Sequence, residues 1–99
     1  MLPSIAVNRF VNPEPQTREF KAMTRALELK PDVHLIGTYE CERYFRVCGR
    51  HGHRYTVALW LDAQTQEPQA QCSCEAAYIP QEPVPCYHIG SVLIHEAEV

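Results

Sequence analysis

Four residues late in the sequence have the types and spacing of a metal site: Cys72, Cys74, Cys86 and His88. They form two close pairs, C-x-C and C-x-H, separated by an 11-residue spacer. In an extended strand, residues i and i+2 point to the same face, so Cys72 and Cys74 can aim two thiolates at one point. A disulfide between them would close a very tight ring, which makes a metal the better partner. In an α-helix, residues i and i+2 diverge. Cys86 therefore has to stand at or before an N-cap, with His88 in the first turn, and Pro85 fits that boundary. A thiolate there is also favoured by the helix dipole. The spacer is long enough to bring the second pair opposite the first. Three thiolates and one imidazole make a closed tetrahedral zinc set, with no position left for water or substrate. The expectation is one structural Zn²⁺ and no catalysis at it.

A second constellation is basic. Arg43, Arg46, Arg50 and Arg54 crowd one short stretch with His51 and His53. Tyr44, Phe45 and Tyr55 are interleaved with them and Trp60 lies near, a mixture that suits nucleic acid. The same stretch also reads as an ordinary hairpin with solvated charges, because Phe45 and Tyr55 are needed for a core. Cys41 and Cys48 have no tight motif and read as a turn residue and a small core hydrophobe. His34, His51, His53 and His95 lack a nearby Cys at ligand spacing. His95 shares a helix face with His88 and reads as a surface histidine. No phosphate-binding glycine loop, serine nucleophile elbow or paired-carboxylate motif is found, so no small-molecule substrate is expected.

The elements that must position these residues follow from the pattern. Residues 1–14 read as an extended lead-in, with Asn12 and Pro13 offering a helix start. A helix is predicted over 15–30, stopping before Pro31, with Phe20, Met23, Ala26 and Leu27 on its apolar face. Its charges Arg18, Lys21, Arg25 and Lys30 read as a solvated surface. Residues 33–74 read as sheet. The runs RYFRVC and HRYTVALWL can align their apolar faces only across an odd loop. A three-residue turn of Arg50, His51 and Gly52 satisfies this, placing Val47 opposite Tyr55 and Phe45 opposite Val57. The other face then presents Tyr44, Arg46, Arg54, Thr56 and Trp60. Residues 62–69 read as a loop, QAQCSC as a short strand and 75–85 as a proline-rich loop. A helix over 86–97 follows, with Ile89, Val92, Leu93 and Ala97 on one face. The fold class is α+β, in one domain over residues 1–99. It comprises a small antiparallel sheet of three to four strands, an N-terminal helix, a zinc knot and a C-terminal helix.

A chain of 99 residues builds a modest core, which a metal would staple. No apolar run approaches a membrane span and the N-terminus lacks a signal-like pattern, so a reducing cytoplasm is the expected setting. The formal charge of −3 hides an asymmetry. Residues 1–54 hold nine Lys and Arg against six acids, a net +3. Residues 55–99 hold six acids and no Lys or Arg, a net −6. Only the first half can attract an anionic partner by charge.

At CSC (72–74) and PCYH (85–88), followed by IGSVLI, the chain resembles the SWIM-type zinc finger family, whose motif is C-x-C, a variable spacer, then C-x-H. The resemblance extends into YFRVCGRHGHRYTVALWL, a glycine-turn hairpin of the kind found there, and back to the helix around RALEL. Tyr87 stands where the family often has Lys. The resemblance implies a compact fold with a small antiparallel sheet, a zinc knot and a terminal helix. It also implies a role in binding DNA or protein. Such domains occur in transposases, remodelling-type ATPases, recombination-accessory proteins and some ubiquitin ligases. Two function classes are thereby expected: a nucleic-acid-associated module using the basic hairpin, or a protein-interaction adaptor. A third, a thiol redox or metal-relay protein built on the five cysteines, would need an open and labile site.

Overall fold

A computed structural model of the protein describes residues 4–49, 52–74 and 85–97. Five antiparallel strands form one sheet: β1 (Ile5–Ala6), β2 (Asp32–Tyr39), β3 (Glu42–Cys48), β4 (Arg54–Leu61) and β5 (Pro68–Cys72), in the order β1-β5-β4-β3-β2. A 3₁₀ turn covers Val7–Phe10, and two helices complete the fold, α1 (Arg18–Leu29) and α2 (Tyr87–Ala97). The class is α+β, with one strand more than the three to four expected. The extra strand comes from the lead-in, where Ile5 pairs with Ala70 and Ala6 with Gln69. The lead-in is thus not merely extended. Ile5 and Phe10 are 4% and 3% exposed and belong to the core.

The hairpin register follows the alternation of the sequence. Val47 opposes Tyr55, Phe45 opposes Val57 and Cys48 opposes Arg54. The Gly49 N–H donates to the His53 carbonyl at 2.7 Å, and Gly52 has φ +77°, the left-handed region that favours glycine. Arg50 and His51 lie outside the described residues. The face holding Phe45, Val47, Val57, Leu59, Ala70 and Cys72 is buried. Removing a side chain such as Val57 or Phe45 from water stabilises the fold by about 1.5–3 kcal/mol. β4 pairs with β5 so that Val57 opposes Cys72, which places the first metal-type thiol on this buried face.

α2 lies on that face and α1 packs on α2 and the 3₁₀ turn. Because α2 is covered from two sides, five consecutive residues, His88 to Val92, are buried. Ile89 and Val92 face inward as the periodicity predicts, whereas Ala97 is exposed. The contact of α1 differs from the expected stripe. Ala22 and Ala26 are buried and Met23 is partly so, while Phe20 and Leu27 are 39% and 57% exposed. The reason is the glycine opposite them. A Cβ on Gly90 would stand 3.1 Å from Met23 Sδ and 3.4 Å from both the Ala22 carbonyl oxygen and the Ala26 Cβ. Small residues on both helices permit the close approach, and bulkier ones are pushed to its margins.

α1 also starts later than Asn12 and Pro13 suggest. Asn12 has φ 46°, and the N-cap is Thr17, whose Oγ1 accepts from the Phe20 N–H at 3.1 Å. Such a cap contributes about 1 kcal/mol. Lys30 ends the helix in the left-handed conformation, its N–H donating to the Ala26 carbonyl at 3.0 Å, immediately before Pro31.

Candidate metal centre

β5 ends on Cys72, and Cys74 follows two residues later. The Gly90 N–H donates to the Cys86 carbonyl at 3.3 Å, which makes Cys86 the residue that opens α2. Its thiol also accepts from the Ile89 N–H, so the cap is the sulfur itself. His88 then falls in the first turn, where the spacing argument puts it. The loop expected over 75–85 lies, apart from Pro85, outside the described residues.

The ligand atoms of Cys72, Cys74, Cys86 and His88 all lie within 4.8 Å of one another, and all four residues are buried. His88 turns Nδ1 toward the thiols, 3.8 Å from Cys72 Sγ. A tetrahedral edge between sulfur and nitrogen on zinc is about 3.6 Å, given the usual bond lengths. The donors therefore need only a small contraction to close on one zinc ion.

The electrostatics of the cluster point the same way. Cys72 is pushed far above the ordinary thiol range, first by hydrogen bonding with Cys74 and Cys86, then by burial and by the charges of both neighbours. At Cys86 the hydrogen bond with Cys72 lowers the pKa. Contact with Cys74, burial and the Cys74 charge outweigh it and raise Cys86 to about 12. Three buried thiols in mutual contact cannot all ionise by themselves. A divalent cation at their centre inverts that balance and holds them as thiolates. This group can hold one zinc ion, and four protein donors complete its coordination.

Two tyrosines hold the imidazole. The Tyr55 and Tyr87 rings lie 4.2 Å and 4.1 Å from the His88 ring, centroid to centroid. Nε2 of His88 is buried and has no hydrogen-bond partner among the described residues. Gly49 faces it, and a Cβ there would stand 3.4 Å from Nε2 and 3.0 Å from Tyr55 Cε2. The ring is thus fixed by stacking and by the hairpin backbone, leaving Nδ1 to face the thiols. The sequence reading of Tyr55, as a core residue or an aromatic of the basic cluster, does not include this place at the metal centre. The signal was present, since Tyr55 lies two residues before Val57, the partner of Cys72.

The basic constellation is divided by the structure. Arg46 and Arg54 are exposed on the outer face of the sheet, at diagonal positions of β3 and β4, with Tyr44 two residues from Arg46. Arg43 is on the opposite face, where its Nη1 lies 2.7 Å from Glu96 Oε1 of α2 and its guanidinium lies 5.8 Å from the Phe45 ring centroid. Trp60 is on the outer face but toward its other end, opposite Gln69, in a cleft shared with Glu42, Asp62 and Glu67. Tyr44 donates to Glu42, which raises the Tyr44 pKa. Arg50 lies outside the described residues. Cys41 is exposed and Cys48 half-buried, and neither joins the metal group. His95 packs edge-on to Phe45, with ring centroids 6.4 Å apart, and is not a free surface histidine.

Among the described residues no helix is long and apolar enough to cross a membrane. Residues 55–97 match the model of the SWIM zinc finger family, a range that contains all four metal-type residues and the two stacking tyrosines. No curated protein and no solved structure matches the chain.

Proposed function

Residues 55–97 being a SWIM zinc finger, we propose that the protein is a zinc-built binding module that associates with nucleic acid through the outer face of β3 and β4. The observation that carries this reading is the pairing of Arg46 and Arg54 as exposed diagonal neighbours beside Tyr44, on a face that no described helix covers. Guanidinium groups displace counterions from phosphates, and an aromatic ring such as that of Tyr44 offers a base a face to stack on. Acids stand at both ends of this face, Asp32 beside Cys48 at the hairpin end and Glu42, Asp62 and Glu67 at the other, so phosphate is expected at Arg46 and Arg54 themselves. The zinc serves the fold by holding α2 against the sheet. A closed ligand set gives it no seat for catalysis, and the cysteines suit a reducing cytoplasm.

The test is fluorescence anisotropy with labelled single- and double-stranded oligonucleotides across a salt series. Arg46→Glu combined with Arg54→Glu should abolish binding and leave zinc content unchanged. A double variant that binds like the parent protein would remove the hairpin from consideration.

A second reading, a protein-interaction adaptor, is favoured by one observation. β2 is an edge strand, and it exposes Leu35, Ile36 and Tyr39 at 54%, 46% and 67%. Such an edge offers backbone hydrogen bonds and apolar contact to a partner's strand. If the parent protein binds no oligonucleotide even at low salt, this reading replaces the first. Capture of a partner that survives nuclease treatment would support it.

A further inference from the structure

β2 is one edge of the sheet, and every residue of it except Val33 is exposed. Sheets guard such edges by keeping them short, charged or interrupted by proline. The other edge, β1, is two residues long and so is guarded by its length. β2 is eight residues long, and from Val33 to Tyr39 it has no proline, carboxylate, lysine or arginine. Leu35, Ile36 and Tyr39 are three of the seven large apolar side chains that stand exposed among the described residues. A fourth, Leu27, lines a groove with Val33 and Ile94 along the same edge.

The guard that remains is a bulge between Leu35 and Gly37, and its position decides how the edge can pair. Val33, Leu35 and Thr38 oppose Val47, Phe45 and Arg43, and so belong to the helix side of the sheet. Asp32, His34, Gly37 and Tyr39 oppose Cys48, Arg46, Tyr44 and Glu42, and so belong to the outer side. Ile36 is the extra residue. Two antiparallel copies of this strand must match helix side to helix side. A two-fold axis at Leu35 does so along the whole strand. Leu35 then meets Leu35 of the second copy, Val33 meets Thr38, His34 meets Gly37 and Asp32 meets Tyr39, with each Ile36 again the extra residue. An axis at His34 would instead oppose two imidazoles and leave Thr38 and Tyr39 beyond the end of the other strand.

The charges agree with the register at Leu35. Asp32 faces a phenol, and no like charges stand opposite each other within the strand. Continued past the strand ends, the same register brings Lys30 of each copy beside Glu40 and Cys41 of the other, so a cation meets an acid at both ends. We propose that β2 pairs antiparallel with β2 of a second copy about a two-fold axis at Leu35, giving a symmetric dimer whose sheet runs through both chains. The proposal rests on the adaptor reading of this edge and names what the edge takes. It is independent of the nucleic-acid reading. With the axis perpendicular to the sheet, both outer faces lie on one side of the dimer, so Tyr44, Arg46 and Arg54 are presented there twice.

The experiment is sedimentation equilibrium of the zinc-loaded protein from about 1 to about 300 μM, the range in which a small interface associates. The mass of the parent protein should rise from 11.4 kDa toward twice that value. Leu35→Lys sets two lysines opposite each other across the axis, and Leu35→Glu sets two carboxylates there. Each variant should dimerise at least about tenfold more weakly than the parent. An equal mixture of the two should regain association, because lysine then meets glutamate. Zinc content and thermal midpoint, measured on each variant, should match the parent, since Leu35 is 54% exposed. A parent protein that stays monomeric throughout would overturn the dimer. A Leu35→Lys protein that dimerises as strongly as the parent would place the interface elsewhere and overturn the edge pairing. Loss in both variants without recovery in the mixture would overturn the axis at Leu35. The adaptor reading is judged apart from these outcomes, by whether Leu35→Lys loses a partner whose capture survives nuclease.

Discussion

Gly49 stands beside the Nε2 edge of His88, where an added Cβ would lie 3.4 Å from Nε2, while Nδ1 faces Cys72. A side chain on Gly49 would press on the Tyr55 ring first and on His88 next. Gly49→Val should therefore lower stability by about 1–3 kcal/mol, the usual cost of overpacking. It should also weaken zinc retention against a chelator, because the ring that carries a ligand must move. Urea unfolding and a zinc competition titration measure the two effects. A Gly49→Val protein that matches the parent in both would show that this closeness is not a constraint.

The purified protein should carry one zinc per chain. Four donors converge within 4.8 Å, and no second group of that kind exists among the described residues. Elemental analysis of protein prepared under reducing conditions gives the ratio directly. Two tightly held zinc ions, or an iron–sulfur absorbance, would contradict the assignment.

Cys74→Ser and Cys41→Ser should separate metal from mere thiol content. Cys74 is buried in the cluster, whereas Cys41 is exposed at the turn between β2 and β3. Losing one ligand should lower the thermal midpoint as much as chelation does, since zinc binding acts as folding free energy. The Cys41 change should fall within about 0.5 kcal/mol of the parent, as surface substitutions do. Equal midpoints for the two variants would argue against a structural metal.

Stability should depend on pH in opposite directions with and without zinc. Cys72 and Cys86 are both shifted upward in the folded protein, Cys86 to about 12. Without metal, the fold holds protons that the unfolded chain gives up. That contribution is complete below the unfolded thiol pKa of about 8.5 and is lost as pH rises toward 12. With zinc bound the thiols are already ionised, so acid is what displaces the metal. Thermal midpoints measured across pH, with and without a chelator, should fall on the alkaline side in one series and on the acid side in the other. Parallel curves would rule out metal-held thiolates.

Most of the centre was legible in the sequence because its constraints are local. Spacing alone fixes which strand and helix positions can aim Cys72, Cys74, Cys86 and His88 at one point. The hairpin register was legible for a similar reason, since an odd loop is the only way to align Phe45 and Val47 with Val57 and Tyr55. What escaped depends on distant partners. Nothing near Ile5 indicates that it will pair with Ala70. Nothing near Phe20 or Leu27 shows that Gly90 will draw Ala22 and Ala26 inward instead. The separation of Arg43 from Arg46 was readable from strand alternation, but its ion pair with Glu96 needs the placement of α2.

α2 occupies the middle of the molecule, touching α1 on one side and β2 to β5 on the other. It also follows all of them in the chain. During synthesis, every earlier element emerges before the slab that it must pack on. The sheet exposes Phe45, Val57 and Leu59, and Ala22 and Ala26 have no counterpart, until residues 86–97 arrive. Folding is then a late and collective event, and the zinc site, whose last two ligands open α2, is its latch. A cell short of zinc at that moment would hold not a loosened protein but a nascent one with its apolar face still open to aggregation.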